Sequence, residues 1–597
     1  MKMASKHPVL VGTVLVLLAS VSVYGCKDFL NSAAAPQGTL NEQSLANANG
    51  VEGTLVAAYR PLDCTSSTNG NWGCAASNWV WGTVAADDAY KGSNATDQPP
   101  INDVEAYHWG TPDADSYLNN KWVNVYEGVV RANSTLRLFN SFQKASPGVL
   151  KATDVTGIPG EAIFLRAYYH FEAYRMWGSI PYYREDDTDF RKPNIAPADV
   201  VTEILKDLDL AISKLPATPR NGQLGRATSW TAKAYKGRVQ MYAGQFAAAL
   251  VTLKDVSTNG PYALEASYDR VWTGFKDYAN GKETIFAYEA SVNDGEPNGN
   301  NANFGERLNF PYSGSHFGCC GFNQPSQNLV NFFKVDAAGL PLAVSSPTTW
   351  NASNANFAAG NLTPVDPRLD WTVGRDNVPY KDWGLYSLAS GWVRDPDNGG
   401  PYGPKKNAHE KASGAESSVG WQNTQLNAVH IHLFRFADLL LLQAEAEVEA
   451  GSIDNARTIV NQIRARAGVK AQGTGADRAS IAVPINDPSI TWAVYKIGPY
   501  PAFASQTEAR TAVRNERRLE LAMEGQRMFD LRRWGIADVT LNAYVNGVGG
   551  GAEKTRRLYK TAAEPVAARH RWYPLPSLQI ELSKIGGTST LKQNTGW

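Results

Sequence analysis

"AYKGRVQMYAGQFAAALVTL", residues 234–253, aligns without a gap on "LLQAEAEVEAGSIDNARTIV", residues 441–460. Ala243-Gly244 falls on Ala450-Gly451, Phe246 on Ile453, Ala249 on Ala456 and Leu253 on Val460. Each copy reads as a helix, a glycine turn and a second helix, with alanine where the pair crosses; small side chains let two helices approach, and glycine permits the tight turn. This is the logic of a tetratricopeptide pair. The copies begin far apart, at positions 234 and 441. A tandem solenoid is therefore excluded, and helical pairs must be dispersed and joined by long excursions.

Outward from the two copies, helical periodicity covers about 117–142, 159–177, 198–256 with a break at Leu215–Ser229, and 433–467. Between 257 and 430 the composition turns to Gly, Asn, Pro, Ser and aromatics, with short strand-like pieces such as "ETIFAYEA". The expectation is a mainly α protein with a large, loop-rich, partly β insertion. Its parts are a leader at 1–25, an N-terminal helical region at 26–256, and a C-terminal region at 257–597 that is loop-rich to 430 and helical from 431.

A third helical stretch, "RNERRLELAMEGQRMFDLRRWG" (514–535), is dense in charge. Read as one helix, Glu516, Glu520 and Glu524 stack at i, i+4 and i+8, with Arg517 and Arg527 three positions from Glu520 and Glu524. Acids and bases nearly balance here, and across the chain 57 Lys+Arg face 57 Asp+Glu. A nucleic-acid partner is not expected from such a balance, whereas a helix locked to its neighbours by an Arg/Glu network is.

The chain opens MKMASKHPVLVGTVLVLLASVSVYGC, with Lys2 and Lys6 before an apolar run that ends in Val23, Tyr24, Gly25, Cys26. The run is a secretory signal ending in a lipobox, which makes Cys26 the lipidation site. Of the remaining cysteines, Cys64 and Cys74 are close enough to bridge a loop, and Cys319 with Cys320 is a candidate vicinal pair. Neither has zinc-ligand spacing.

Five stretches now fall in one order: "CKDFLN" after the leader, "EAIFLRAYYHFEAYRMWGSIPYY" (161–183), "RFADLLLLQAEAEVEAG" (435–451) leading to "NQIRARAG" (461–468), the charged stretch at 514–535, and the closing "YPLPSLQIELSKIGGTSTLKQNTGW". In that order they resemble the SusD/RagB family of surface glycan-binding lipoproteins across the whole mature chain. At the tail Gln579, Ser583, Thr595 and Trp597 stand where the family commonly has Glu, Asn, Pro and Tyr. The resemblance implies a SusD-like fold, an outer-membrane lipid anchor, cell-surface exposure, an oligosaccharide ligand and a SusC-type TonB-dependent transporter as partner. It implies no cofactor and no catalysis. Some relatives of this kind bind peptides or other nutrients, and a secreted glycoside hydrolase is the competing class.

Enzyme chemistry finds little support in the residues. Asp87 and Asp88 in "WGTVAADDAYKG" are adjacent, so in an extended segment they point apart rather than facing across a sugar. "RDPDNGGPYG" starts like a calcium loop, but Lys406 falls at position 12. His430 and His432 lack a third ligand nearby in sequence, and no metal site is expected. The functional signal is aromatic, because sugar C–H faces lie on indole and phenol rings while hydroxyls bond to neighbouring Asp, Asn and Gln. On that basis the expected ligand residues are Trp81, Asp87, Asp88 and Trp109 on one side, and Tyr312, Phe317, Asn323 and Gln324 on the other.

Overall fold

The computed structural model describes residues 42–64, 72–421, 423–547 and 552–597. The leader, Cys26 and "CKDFLN" lie outside the described residues. The expected helices form, several of them with the capping chemistry that starts a helix. They are α1 (Ala48–Tyr59), capped by Asn47; α2 (Pro112–Ala145), capped by Thr111 with proline in its first turn; α3 (Ala152–Trp177); α4 (Pro197–Lys214); α5 (Ser229–Tyr242), opened by a Thr228/Thr231 capping box; and α6 (Phe246–Asn259). After the insertion come α7 (Phe436–Ala450), α8 (Ile453–Ala467), capped by Ser452, α9 (Gln506–Leu521), capped by Ser505, α10 (Arg527–Arg533) and α11 (Ala537–Asn546).

Helices α2 to α6 pack in chain order, and α6 then packs on α7, which packs on α8 and α9. The two copies of the repeat, α5/α6 and α7/α8, are thus neighbours in one stack, and the chain between them is extruded sideways. Close approach within a pair depends on small residues: a Cβ on Gly237 would lie 2.5 Å from Leu253. Gly244, at φ +70°, makes the turn. Short strands tie the insertion to the chain on either side of it. β1 (Ala89–Gly92) pairs antiparallel with β3 (Phe322–Pro325), and β2 (Thr284–Tyr288), inside the predicted "ETIFAYEA", pairs with β4 (Ile431–Arg435) across a register irregularity. Among the described residues no helix is long and apolar enough to cross a membrane.

The 514–535 stretch departs from a single helix. It breaks after Leu521, where Met523 (φ 66°) and Gly525 (φ 69°) turn the backbone before α10 begins. The expected pairing within the helix also gives way to pairing across the molecule. Glu516 meets Arg368 (2.7 Å) and Arg464 (2.9 Å). Glu520 meets Arg368 (3.0 Å), Arg435 (2.7 Å) and Arg466, and Glu524 meets Arg435 (2.8 Å) and Lys406 (2.6 Å). Arg517, expected beside Glu520, instead joins Asp438 of α7 and Asp530 of α10. All these groups are buried. Burial alone would raise the Glu520 and Glu524 carboxyls, but Arg466, Arg435 and Arg368 around the first, and Arg435 and Lys406 around the second, hold both below the ordinary glutamate value.

Carboxylates depressed in the fold stabilise it above their unfolded value, near 4.3, and lose that contribution as pH falls toward the folded value. Arg435→Met should therefore destabilise the protein by about 3–5 kcal/mol at pH 7, because Glu283, Glu520 and Glu524, all paired with it, are left short of a cation. That difference should shrink as pH is lowered from about 4 to 2 and the carboxylates protonate. Urea denaturation of both proteins across this range checks it.

Candidate functional site

The charged stretch also reaches the aspartates expected to hold ligand. Asp87 is bound by Arg527 (Nε 2.7 Å) and Arg518 (3.0 Å), and Asp88 by Arg518 (2.8 Å). Both acids are buried. Burial pushes Asp87 up, yet Arg518 and Arg527 hold it down to about 2. These carboxylates are structural partners of α9 and α10, which corrects the expectation that they meet ligand and removes them as an acid/base pair.

The neighbouring rings are corrected likewise. Trp81 is 0% exposed, donates its indole N–H to the Gly73 carbonyl at 2.6 Å and meets Tyr573 edge-on at 5.0 Å. Trp109 is equally buried, against Tyr573 (4.2 Å), His570 (4.9 Å) and the terminal Trp597 (6.2 Å). The atypical tail residue Trp597 thus packs onto the N-terminal aromatic cluster. Phe317 is buried in a small separate core with Phe310 and Trp383, both at 5.1 Å. Asn323 and Gln324 are buried in β3, where Gln324 donates to the Tyr402 carbonyl at 3.0 Å. Tyr312 alone of the expected residues is partly accessible; Arg394 lies 5.2 Å from its ring and is held by Asp97 (2.7 Å) and Ser93 (2.9 Å). His430 and His432 pack against Glu289 and Trp272 respectively.

The accessible aromatic surface lies elsewhere in the insertion. Trp421 is 54% exposed, and the Arg307 guanidinium sits 4.6 Å from its ring centre. Arg307 is sandwiched from below by Phe304 (4.8 Å) and Trp72 (5.6 Å), which stack on each other. Its foundation is built from the sequence upward. Asp63, at the end of the first helical segment, accepts the backbone N–H groups of Ala76 and Gly305, each at 2.9 Å. Only glycine fits at 305, because a Cβ there would lie 2.2 Å from an Asp63 oxygen. The Cys64–Cys74 disulfide ties the same corner, and Glu306, pushed up to about 7 by burial, anchors the turn through Asn309 (2.8 Å) and Asn407 (2.7 Å).

Beside Trp421, Thr424 donates to the Phe317 carbonyl at 3.0 Å and Gln425 donates to the Cys319 carbonyl. The bonded Cys319–Cys320 pair and the exposed His316, tilted against Trp383 at 5.5 Å, therefore border the same face. Arg307 has no carboxylate partner among the described residues, and burial drives its guanidinium down to about 10. The arrangement offers an open indole, an unpaired guanidinium fixed on aromatic rings, and polar loop edges. It can stack on an apolar ring face and donate hydrogen bonds to oxygens around it.

Sequence reasoning missed Trp421, although a signal was present. It stands alone in "SGAESSVGWQNTQ", with almost nothing apolar around it to bury it, whereas Trp81 sits in "WVWGTV" among residues that form a core.

Comparison with known proteins bears on the family and the fold. Residues 282–597 match the family model described as the SusD family, and residues 72–241 match one described as starch-binding associating with outer membrane. The SusD-like protein P38 of Formosa agariphila is 24% identical over 551 residues, covering 90% of this chain and 93% of the relative. A SusD homologue of Bacteroides thetaiotaomicron superposes with TM-score 0.66 at 20% identity, covering 94% of this chain and all of the other. Surface glycan-binding protein A of the same species, solved with laminarihexaose, gives TM-score 0.61 at 18% identity, covering 92% and 99%.

Truncation separates core rings from surface rings. Trp81→Ala and Trp109→Ala should each cost about 3–5 kcal/mol and melt early, because each leaves a buried cavity. Trp421→Ala should melt close to the parent, within about 0.5 kcal/mol. Thermal and urea melts of the three variants check this.

Proposed function

The chain belongs to the SusD family of outer-membrane-associated glycan-binding proteins, and from that premise we propose that it captures an oligosaccharide on the Trp421–Arg307 face and delivers it to a TonB-dependent transporter of the SusC type. The observation that carries this reading is the half-exposed Trp421 indole, braced by Arg307 on a buried aromatic base. A sugar ring lies on the indole face away from Arg307, whose guanidinium covers the other face and holds the ring in place. His316, exposed beside the Phe317 and Cys319 carbonyls that bond Thr424 and Gln425, extends the face, and the partly accessible Tyr312 is proposed with it. Binding, with no bond broken, is the reading favoured, in keeping with a family described by its glycan binding.

Cys26 is the proposed anchor, with lipid chains holding the protein on the outer membrane at the cell surface; each buried methylene contributes about 0.8 kcal/mol. For the transporter, a contact surface is offered on the helical side of the molecule. There Val130, Phe190 and Leu582 are exposed around a hollow of about 210 Å³ between α2 and the C-terminal segment. The ligand solved with one relative, laminarihexaose, makes a β-glucan hexasaccharide the first probe, with a maltohexaose comparison.

Calorimetric titration of Trp421→Ala, Arg307→Ala and Tyr312→Ala tests the face. Removal of the Trp421 ring should lower affinity by about 1–3 kcal/mol with the melting temperature unchanged. Parent-like affinity in all three variants, or no oligosaccharide of a broad panel bound by the parent, would contradict the proposal.

A further inference from the structure

Arg532, the penultimate residue of α10, is 8% exposed and has no carboxylate partner among the described residues. Its Nε donates to the His570 carbonyl at 3.2 Å, and its guanidinium lies 4.0 Å from the Tyr573 ring centre and 5.0 Å from that of Trp109. Both terminal nitrogens, Nη1 and Nη2, are buried without an acceptor. This is unlike the other α10 arginines: Arg527 is held by Asp87, and Arg533 by Glu445 and Asp530. Burial without a counter-charge drives the Arg532 guanidinium down to about 10. An unsatisfied buried cation is costly, so its retention calls for a missing acceptor.

Two hollows reach this side chain. One, of about 330 Å³, is lined by Arg532, Arg533, Gly535, Asp538, His570 and Arg571; the other, of about 60 Å³, shares Arg532, Arg533 and Arg571 and adds Tyr174 and Trp572. Arg571 is exposed and likewise has no carboxylate partner among the described residues. The larger hollow also opens on the start of α11, a ten-residue helix whose first turn has no side-chain cap, so its N–H groups and dipole favour an anion. Asp538 is the one acid lining the larger hollow; it is exposed.

We infer that this arginine-lined hollow binds a carboxylate carried on a sugar. The choice of carboxylate follows from which donors are free. With Nε already used, Nη1 and Nη2 remain as a pair of donors in one plane that matches the two oxygens of a carboxylate; both are covered in the free protein, so the guanidinium must swing out from the Tyr573 and Trp109 rings into the hollow to meet it. Arg571 adds charge at the mouth, and the rings of Trp572 and Tyr174 offer faces for the sugar. The anion site stands independently of the Trp421 face; that a saccharide carries the carboxylate rests on the glycan-binding reading.

The test is calorimetric titration of the mature chain with sodium glucuronate, glucose and sodium sulfate at matched ionic strength, on the parent, Arg532→Met and Arg571→Ala. Glucuronate should bind the parent, glucose should not, and Arg532→Met should lose at least tenfold in affinity, with a smaller loss in Arg571→Ala. Arg532→Met should melt close to the parent without ligand, since the loss of the His570 hydrogen bond and the two ring contacts is offset by removal of the unpaired buried donors. Glucuronate binding unaltered in Arg532→Met, or no preference for glucuronate over glucose in the parent, would overturn the site. Sulfate bound as tightly as glucuronate would overturn the assignment to a carboxylate. Laminarihexaose titrated in parallel reports on the loop face, so failure of glucuronate alone overturns this hollow and leaves that face standing.

Discussion

Arg435 stands where Glu283, Glu520 and Glu524 converge, and Arg368 joins Asp366, Glu516 and Glu520 beside it. The chain contributes to this knot from the early part and the middle of the insertion, from β4 before α7, and from α9 and the turn after it. None of these charges tolerates burial alone, since an unpaired buried ion costs several kcal/mol. Each segment is therefore fixed in position by the others. The same helices extend the network to Asp87 and Asp88 through Arg518 and Arg527, which pins the N-terminal aromatic segment to the far end of the chain.

That constraint divides the aromatics into two populations. Rings close to the network, such as Trp81 and Trp109, fill the space between segments that the ion pairs have already brought together, and they are inaccessible. Most rings on the excursion between α6 and α7 are buried too, Phe317 and Trp383 in a small core of their own, but Trp421 has no such neighbours on its outer side. Trp421 is left open there, while the turn at Phe304–Glu306 holds Arg307 beneath it. A rigid helical stack displaying a loop-built face is a suitable arrangement for capturing a ligand whose identity is set by loop sequence.

The helical pairs were legible because their signal is local: a glycine turn and alanines at fixed offsets decide how two adjacent helices cross. That the two copies touch was not legible, since adjacency of α6 and α7 depends on where the excursion returns. The charge network was legible as a strut but not in its partners. Arg517 sits three residues from Glu520 yet pairs with Asp438 and Asp530, because buried cations follow tertiary geometry over sequence spacing. The candidate site was read from ring and amide types that serve a core equally well. What distinguishes Trp421 is the polarity of its surroundings, and the unpaired donors of Arg532 have no counterpart in the sequence at all.

The account's central claim is that the ion-pair network makes 79–92, α7, α9 and α10 one cooperative unit, with the Trp421 loop displayed outside it. Native-state hydrogen exchange in low denaturant measures this directly. Amides in 79–92, 436–450 and 506–533 should exchange only through a common opening of the same free energy, while those near 417–421 exchange through smaller local openings. Opening of 79–92 at a distinctly lower free energy than α7 and α9 would contradict it, because the Asp87–Arg527 and Asp88–Arg518 pairs would then not bind the two ends of the chain into one structure.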